Sequence, residues 1–357
     1  MPQDFTPYDR GAWQELERWQ EKRLAARSRR LLPASVRDQI GKARESLQER
    51  IPAVPGADEF HALFIRALEG IQGAINRIAI ASISKRAVIS AYRKHGHEIN
   101  DIQDIRTLEL RDIAKSKPRL DLRYVLSVAA EGAAAGLTIS GGEIVAAGGA
   151  IAGAGAGAAP GAGTVVAAIA ADAATVIAAS ARAVAETAAY YGYDPELPEE
   201  RLFALGVLNF GTATQASKMA AYRELNKIIQ SLARRAAWEQ LNKNAVTRVV
   251  KIVYGSLSMR ITKEKLGQAV PIVGIVIGAG LNAELLARVT SDADHLYRQR
   301  FLREKYGLPL AEDVEDVDEV ETDDIPIADI IDVELDEQRD EDEDPDDDST
   351  VSRIGVP

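Results

Sequence analysis

The stretch from Ile144 to Ala171 runs for 28 residues without a charged side chain and is built almost wholly of Ala, Gly, Val and Ile. About 20 apolar residues are enough to cross a bilayer as a helix, so length alone admits a membrane span. The composition argues otherwise. These are the smallest apolar side chains, Pro160 sits in the middle, and Asp172 follows at once. A single span from Val165 onward would carry Asp172 into lipid, at a cost on the order of a few kcal/mol. Glycine is also about 1 kcal/mol less favourable than alanine in an exposed helix, so a run this rich in it needs burial to stay ordered. Small residues at three- and four-residue intervals let helices approach closely, in membranes or out of them. The stretch therefore reads as a helical hairpin turning near Pro160, Gly161 and Gly163. Its expected packing partner is a second apolar run, Leu266 to Ala283, which holds 18 uncharged residues. Gly274, Gly278 and Gly280 are its close-packing positions, and Asn282 is placed to hydrogen-bond across helices. A hairpin inside a globule and one that dips into lipid both fit these residues.

The rest of the chain has helical spacing and no strand-period segment. Trp13, Leu16, Trp19 and Leu24 form an apolar stripe on a helix expected from Asp9 to Arg30, with Arg18, Lys22, Arg23 and Arg27 around it. Such a helix either lies at an anionic membrane surface or docks its tryptophans on the body. Ser35 can cap a second helix. A long helix is expected from Glu59 to Lys94, and Ile102, Ile105, Leu110 and Ile113 mark a shorter amphipathic piece. Helices follow over Asp121–Ala135 and Thr164–Tyr191. Gly192 suits the C-cap of the latter. Asp194 or Leu197 caps the next helix, with Pro195 or Pro198 at its first position and Glu199 and Glu200 in its first turn. Gly211 is read as an interruption before helices over Thr212–Leu241 and Val246–Met259. The last helix runs from the second apolar run through Leu285, Val289, Tyr297 and Phe301 to Gly307. The expected fold is all-α: a multi-helix bundle with its two Gly/Ala-rich apolar segments packed together. Its divisions are an N-terminal helical extension (1–57), a helical domain (58–307) and a disordered acidic tail (308–357).

The net charge of −11 is unevenly divided: residues 311–357 hold 22 acids and 2 bases, which leaves 32 acids and 41 bases before them. A basic body with an acidic tail points to a polyanionic partner surface, or to a tail that screens the body. Within the tail Ile325, Ile327, Ile330, Ile331, Val333 and Leu335 interrupt the acids, as a docking motif or as part of a solvated tail. No cysteine is present, so disulfides, thiol nucleophiles and Cys-based zinc sites are excluded. The first residues lack the apolar core of a signal peptide, and a cytoplasmic location is expected.

Signatures of catalysis are missing. His61, His95, His97 and His295 form no HExxH pair, and the glycines form neither a P-loop nor a dinucleotide fingerprint. Neither a cofactor nor a metal is expected. The densest polar constellation is Asp194, Glu196, Glu199 and Glu200 beside Tyr191 and Tyr193. As chemistry it would be acid/base work at a pocket near the Asp194–Glu200 turn. As structure it is a capped helix start, which attracts acids for electrostatic reasons.

Two blocks carry a resemblance: AYYGYDPELPEERLFALGVL (Ala189–Leu208) and LGQAVPIVGIVIGAGLNAELLARVTSDADHLYRQRFLREKYG (Leu266–Gly307). With LRDIAKSKPRLDLRYVLSVAAEGAAAGL (Leu110–Leu137) and the N-terminal AWQELERWQ, they resemble the EcsC family over residues 10–307. The resemblance implies a largely helical bacterial protein without an established activity, and it transfers no catalytic residue. The family's name comes from a gene beside an ABC exporter, and its members are commonly described as membrane-associated. This chain departs from that pattern in its Gly/Ala-rich 144–163 segment, where bulkier apolar residues would be expected. The leading expectation is thus a non-enzymatic helical protein associated with the cytoplasmic membrane, peripherally or partly inserted. Its partners would be an anionic membrane surface and a membrane transporter, in support of export or protein secretion; nucleic acid is not expected, since no recognition motif accompanies the basic body. The alternatives are a soluble, hydrolase-like helical enzyme with its pocket at the Asp194–Glu200 turn, and an interaction module regulated by its acidic tail. No pattern bears on oligomeric state.

Overall fold

One long helix near the C-terminus organises the described elements. The computed structural model describes residues 4–24, 83–120, 123, 162–214, 217–233, 246, 248–250, 252–257, 260, 276–309, 325–327, 330, 331 and 333. In chain order the elements are α1 (Pro7–Leu24), α2 (Lys85–Lys94), a 3-10 turn (Ile102–Thr107), α3 (Leu110–Ser116), α4 (Ala162–Tyr190), α5 (Pro198–Thr212), α6 (Lys218–Ala233) and α7 (Val276–Tyr306). No strand occurs among the described residues, and the chain is all-α. The most extensive helix contact is α7 with α4; α7 also packs on α5 and α1, and α5 packs on α6.

The core lies where these helices meet. Ile177, Val184 and Ala188 of α4 join Leu202, Phe203, Val207 and Phe210 of α5, and Val289, Leu296, Tyr297 and Phe301 of α7. Burying each large apolar side chain contributes about 1.5–3 kcal/mol. Gly211 belongs to this packing. It does not interrupt a helix, as its sequence context suggests, but sits in the last turn of α5, where an added Cβ would lie 3.1 Å from the Val289 side chain.

Other boundaries differ from the sequence reading for local reasons. Of the expected helix from Glu59 to Lys94, residues 59–82 lie outside the described residues; Ser84, with extended backbone (ψ 96°) and its hydroxyl accepting from the Ala87 amide, caps the start of α2. α6 begins at Lys218, not Thr212, because Thr214 Oγ1 accepts the Ser217 amide at 3.3 Å and turns the chain first.

The tryptophans of α1 face the body. Trp19 stacks on His295 (4.7 Å, 11°) and packs against Phe210 (5.9 Å), while Trp13 meets Phe5 edge-on. The membrane expectation is corrected: among the described residues, no helix is long and apolar enough to cross a membrane. The described part of α4 is buried against its neighbours and carries Glu186, which accepts from Arg123 (2.8 Å). α7 is studded with Glu284, Arg288, Asp292, Asp294, Arg298 and Arg300. Pro160, Gly161 and Gly274 lie outside the described residues; Gly163, expected at the hairpin turn, lies in the first turn of α4, and Gly278, Gly280 and Asn282 lie in the backbone of α7.

The tail expectation also changes in part. Ile325, Ile327 and Ile331 are buried and belong to the main core. Gly307 ends α7 (φ +57°), but it does not end the folded body.

Candidate functional site

The turn after α4 is set by its backbone. The Tyr193 amide donates to Ala188 O (3.0 Å) and the Gly192 amide to Ala189 O (3.1 Å), the paired bonds of a Schellman cap. Gly192 adopts φ +86°, and a Cβ there would lie 2.6 Å from Arg106 Cγ. A glycine is therefore required twice over, for conformation and for the approach of the 3-10 turn. α5 then starts at Leu197 with Pro198 in its first turn.

This turn aims its side chains at α7. The Tyr191 hydroxyl donates to Asp294 Oδ1 (2.8 Å) and the Tyr193 hydroxyl to Glu304 Oε2 (3.0 Å). Asp294 also accepts from Lys117 and from Arg298 (2.6 Å). Glu200 takes a two-pronged bond from Arg300 (2.6 and 2.7 Å), and Arg300 reaches Glu304 as well (2.9 Å). The Arg300 guanidinium lies 4.1 Å from the Tyr193 ring centre and 4.4 Å from that of Phe203. Asp194 and Glu196 share Lys85 (2.7 and 2.6 Å). Glu199 is half-buried in the first turn of α5.

The sequence-derived residues are thus gathered, but into a clamp. Burial raises Glu200, with Arg300 opposing it. Burial also opposes ionisation of Asp294, yet Lys117 and Arg298 beside it overcome that and hold it at about 2. A carboxylate so acidic is a weak base at neutral pH. Burial pushes the Tyr191 and Tyr193 phenols well above their usual range. The arrangement orients the turn against α7, and among the described residues no group of acids and histidines could hold a metal.

Two further constellations escaped the sequence reading. In the first, Lys218, 2% exposed, donates to Asp292 Oδ2 (2.9 Å) and to the terminal carbonyls of α5 at Phe210 and Gly211. Asp292 also takes a two-pronged bond from Arg23 (2.9 and 2.6 Å), so one carboxylate ties α1, α6 and α7 together. Burial lowers Lys218 to about 8, with Asp292 opposing. In the second, Arg260 donates to Asn209 Oδ1 (2.9 Å), Asn209 O (3.1 Å) and Thr212 Oγ1 (2.5 Å). The Asn209 amide in turn donates to Ile325 O (3.5 Å), 116 residues away. Ile327, Ile330, Ile331 and Val333 are helical, and the Ile330 amide donates to Pro326 O (3.0 Å). The repeated isoleucines were the available signal for this docking; a lysine opening a helix gives none for its burial.

Against known proteins, residues 10–302 match the model of the EcsC protein family. The uncharacterized protein YdbA of Bacillus subtilis (strain 168) is 30% identical over 139 residues, which span 38% of this chain and 48% of that protein. The alignment thus covers about half the length of that relative. No solved structure matches.

Proposed function

The chain belongs to the EcsC protein family, and on that premise we propose that it is a helical interaction module whose acidic C-terminal segment occupies the binding groove of its own body. The observation that supports this reading is the burial of Ile325, Ile327 and Ile331 beside α5, with Ile325 O taken by Asn209. The segment has the features of a ligand: Ile325, Ile327 and Ile331 are buried against the body, Ile327, Ile330 and Ile331 are helical, and the surrounding sequence is rich in acids. Apolar anchors on a short helix laid against a helical surface are a common mode of peptide recognition. A segment held in cis has a high effective concentration, so a partner helix of the same acidic and apolar pattern has to displace it. The adjacent Gly/Ala-rich segments belong to this reading as the close-packed base of the bundle, since α4 and α7, whose ends carry them, lie side by side.

The acid-rich turn supports the enzyme reading less well. Asp194 and Glu200 are engaged by Lys85 and Arg300.

The test uses a labelled synthetic peptide of residues 322–336 and the full chain. The wild type, its groove filled, is expected to leave the peptide unbound in fluorescence anisotropy. An Ile325→Asp/Ile327→Asp double variant, with its own segment released, is expected to bind it. A correctly folded double variant that ignores the peptide would refute the proposal.

A further inference from the structure

A cleft of about 510 Å³ opens between α1, the end of α3 and α7, away from the docked tail segment. Its size falls in the range of small-molecule sites, roughly 300–1,000 Å³. Three cations, Lys117, Arg119 and Arg298, line it against one acid, Glu15. Lys117 and Arg298 are positioned from behind: both bond Asp294, which also accepts from Tyr191 at the cleft wall. They keep 15% and 20% of their side-chain surface accessible. The pair between Arg298 and Glu15 (3.1 Å) is of the displaceable kind, because Glu15 is 60% exposed. An incoming anion can therefore take the Arg298 face that Glu15 now holds.

A second, independent observation concerns Gly11. It lies within α1, on the wall of this cleft. Glycine there weakens the helix by about 1 kcal/mol relative to alanine. Gly96, Gly192 and Gly307 have positive φ, and Gly206 and Gly211 lie against neighbouring side chains, but Gly11 shows neither reason: among the described residues an added Cβ would meet nothing within 4 Å. Its bare backbone is exposed on the cleft wall. Tyr8, 45% exposed, offers a ring at the same wall, and Leu110 and Pro118 supply apolar surface opposite.

We propose that this cleft is a binding site for a small organic anion. Its carboxylate or phosphate group would lie on Lys117 and Arg298, and its aromatic or apolar body along Gly11 and Tyr8.

The full chain is titrated with phenyl phosphate, phenylacetate and, as the uncharged counterpart, benzyl alcohol, read by ligand-observed NMR. At least one anion is expected to bind ten-fold or more tightly than benzyl alcohol, and the stronger of the two identifies the head group. Gly11→Leu adds bulk to the cleft wall at a position where a Cβ meets nothing within 4 Å among the described residues. It is expected to leave the melting temperature unchanged or raised and to weaken binding of that anion at least ten-fold. Gly11→Ala, which adds one methyl group, is the milder variant and should weaken it less. The proposal is overturned if neither anion binds, if benzyl alcohol binds equally well, or if folded Gly11→Leu binds the anion like the wild type.

Discussion

Asp292→Asn tests how the buried Lys218 is stabilised, and the structure sets both the size and the pH dependence of the effect. Lys218 titrates at about 8 in the folded chain against 10.5 for an ordinary lysine. At about 1.4 kcal/mol per pH unit, keeping it charged in its buried site opposes folding by roughly 3–4 kcal/mol at neutral pH. Removing the Asp292 charge depresses Lys218 further, but the loss has a ceiling, because the amine can shed its proton. With the amine neutral at pH 7 the opposition reaches about 5 kcal/mol, so the lysine adds only about 1–2 kcal/mol to the effect of the substitution. The weakened bonds from Arg23, which is partly exposed, add about 1 kcal/mol. The variant should therefore be about 2–3 kcal/mol less stable at pH 7. At pH 9.5 Lys218 is neutral in both proteins, so only about 1 kcal/mol should remain. The sign for the wild type follows from the same group. Between pH 8 and 10.5 the unfolded chain binds more protons at this lysine, so its contribution to stability rises with pH, by about 2 kcal/mol from 8 to 9.5. Urea denaturation of both proteins at pH 7 and 9.5, with unchanged m-values, measures these differences. An equal loss at both pH values would refute the reasoning.

Three other outcomes follow from the clamp at the turn. Asp294 is depressed from 3.8 to about 2, so its contribution is present above pH 4 and lost as pH falls toward 2; Asp294→Asn should flatten the acid limb of stability by roughly 2–3 kcal/mol. Burial raises Tyr92, Tyr191, Tyr193, Tyr254 and Tyr297, so the stability they contribute is present below pH 10 and lost above it; phenolate absorbance should show these five ionising only with unfolding, not as a gradual titration. Gly192→Ala forces a Cβ to within 2.6 Å of Arg106 Cγ at positive φ; thermal denaturation should show a loss of about 1–3 kcal/mol, whereas Gly11→Ala should show none.

What could be read from the sequence was local. Gly192 as a helix terminator and Pro198 as a helix opener depend on backbone preferences of single residues, and both hold in the structure. The i,i+4 pairs Asp294–Arg298 and Arg300–Glu304 are also written in helical spacing. What joins the turn to α7 is not local: Arg300 and Glu200 are 100 residues apart, and only the packing of α5 on α7 brings them together. Acids at a helix start suit the helix dipole whether or not a distant arginine exists, so their spacing cannot reveal the clamp. Lys218 is illegible for the opposite reason, since its burial is a property of three other helices. The small-residue runs suggested lipid because close packing in a bilayer and in a globule asks for the same residues. Tryptophans on a basic helix carry the same ambiguity, and here Trp19 is settled by His295 and Phe210. The cleft is a concavity between elements distant in sequence, and no local pattern marks it.

Hydrogen exchange across residues 325–331 of the full chain tests the central claim most directly. If the segment occupies the groove, the Ile330 amide, bonded to Pro326 O, and its neighbours should exchange at least a hundred-fold more slowly than in a free peptide of the same sequence. Ile327→Asp should abolish that protection while leaving α5 and α7 protected. Exchange of the wild-type segment at the free-peptide rate would contradict the account.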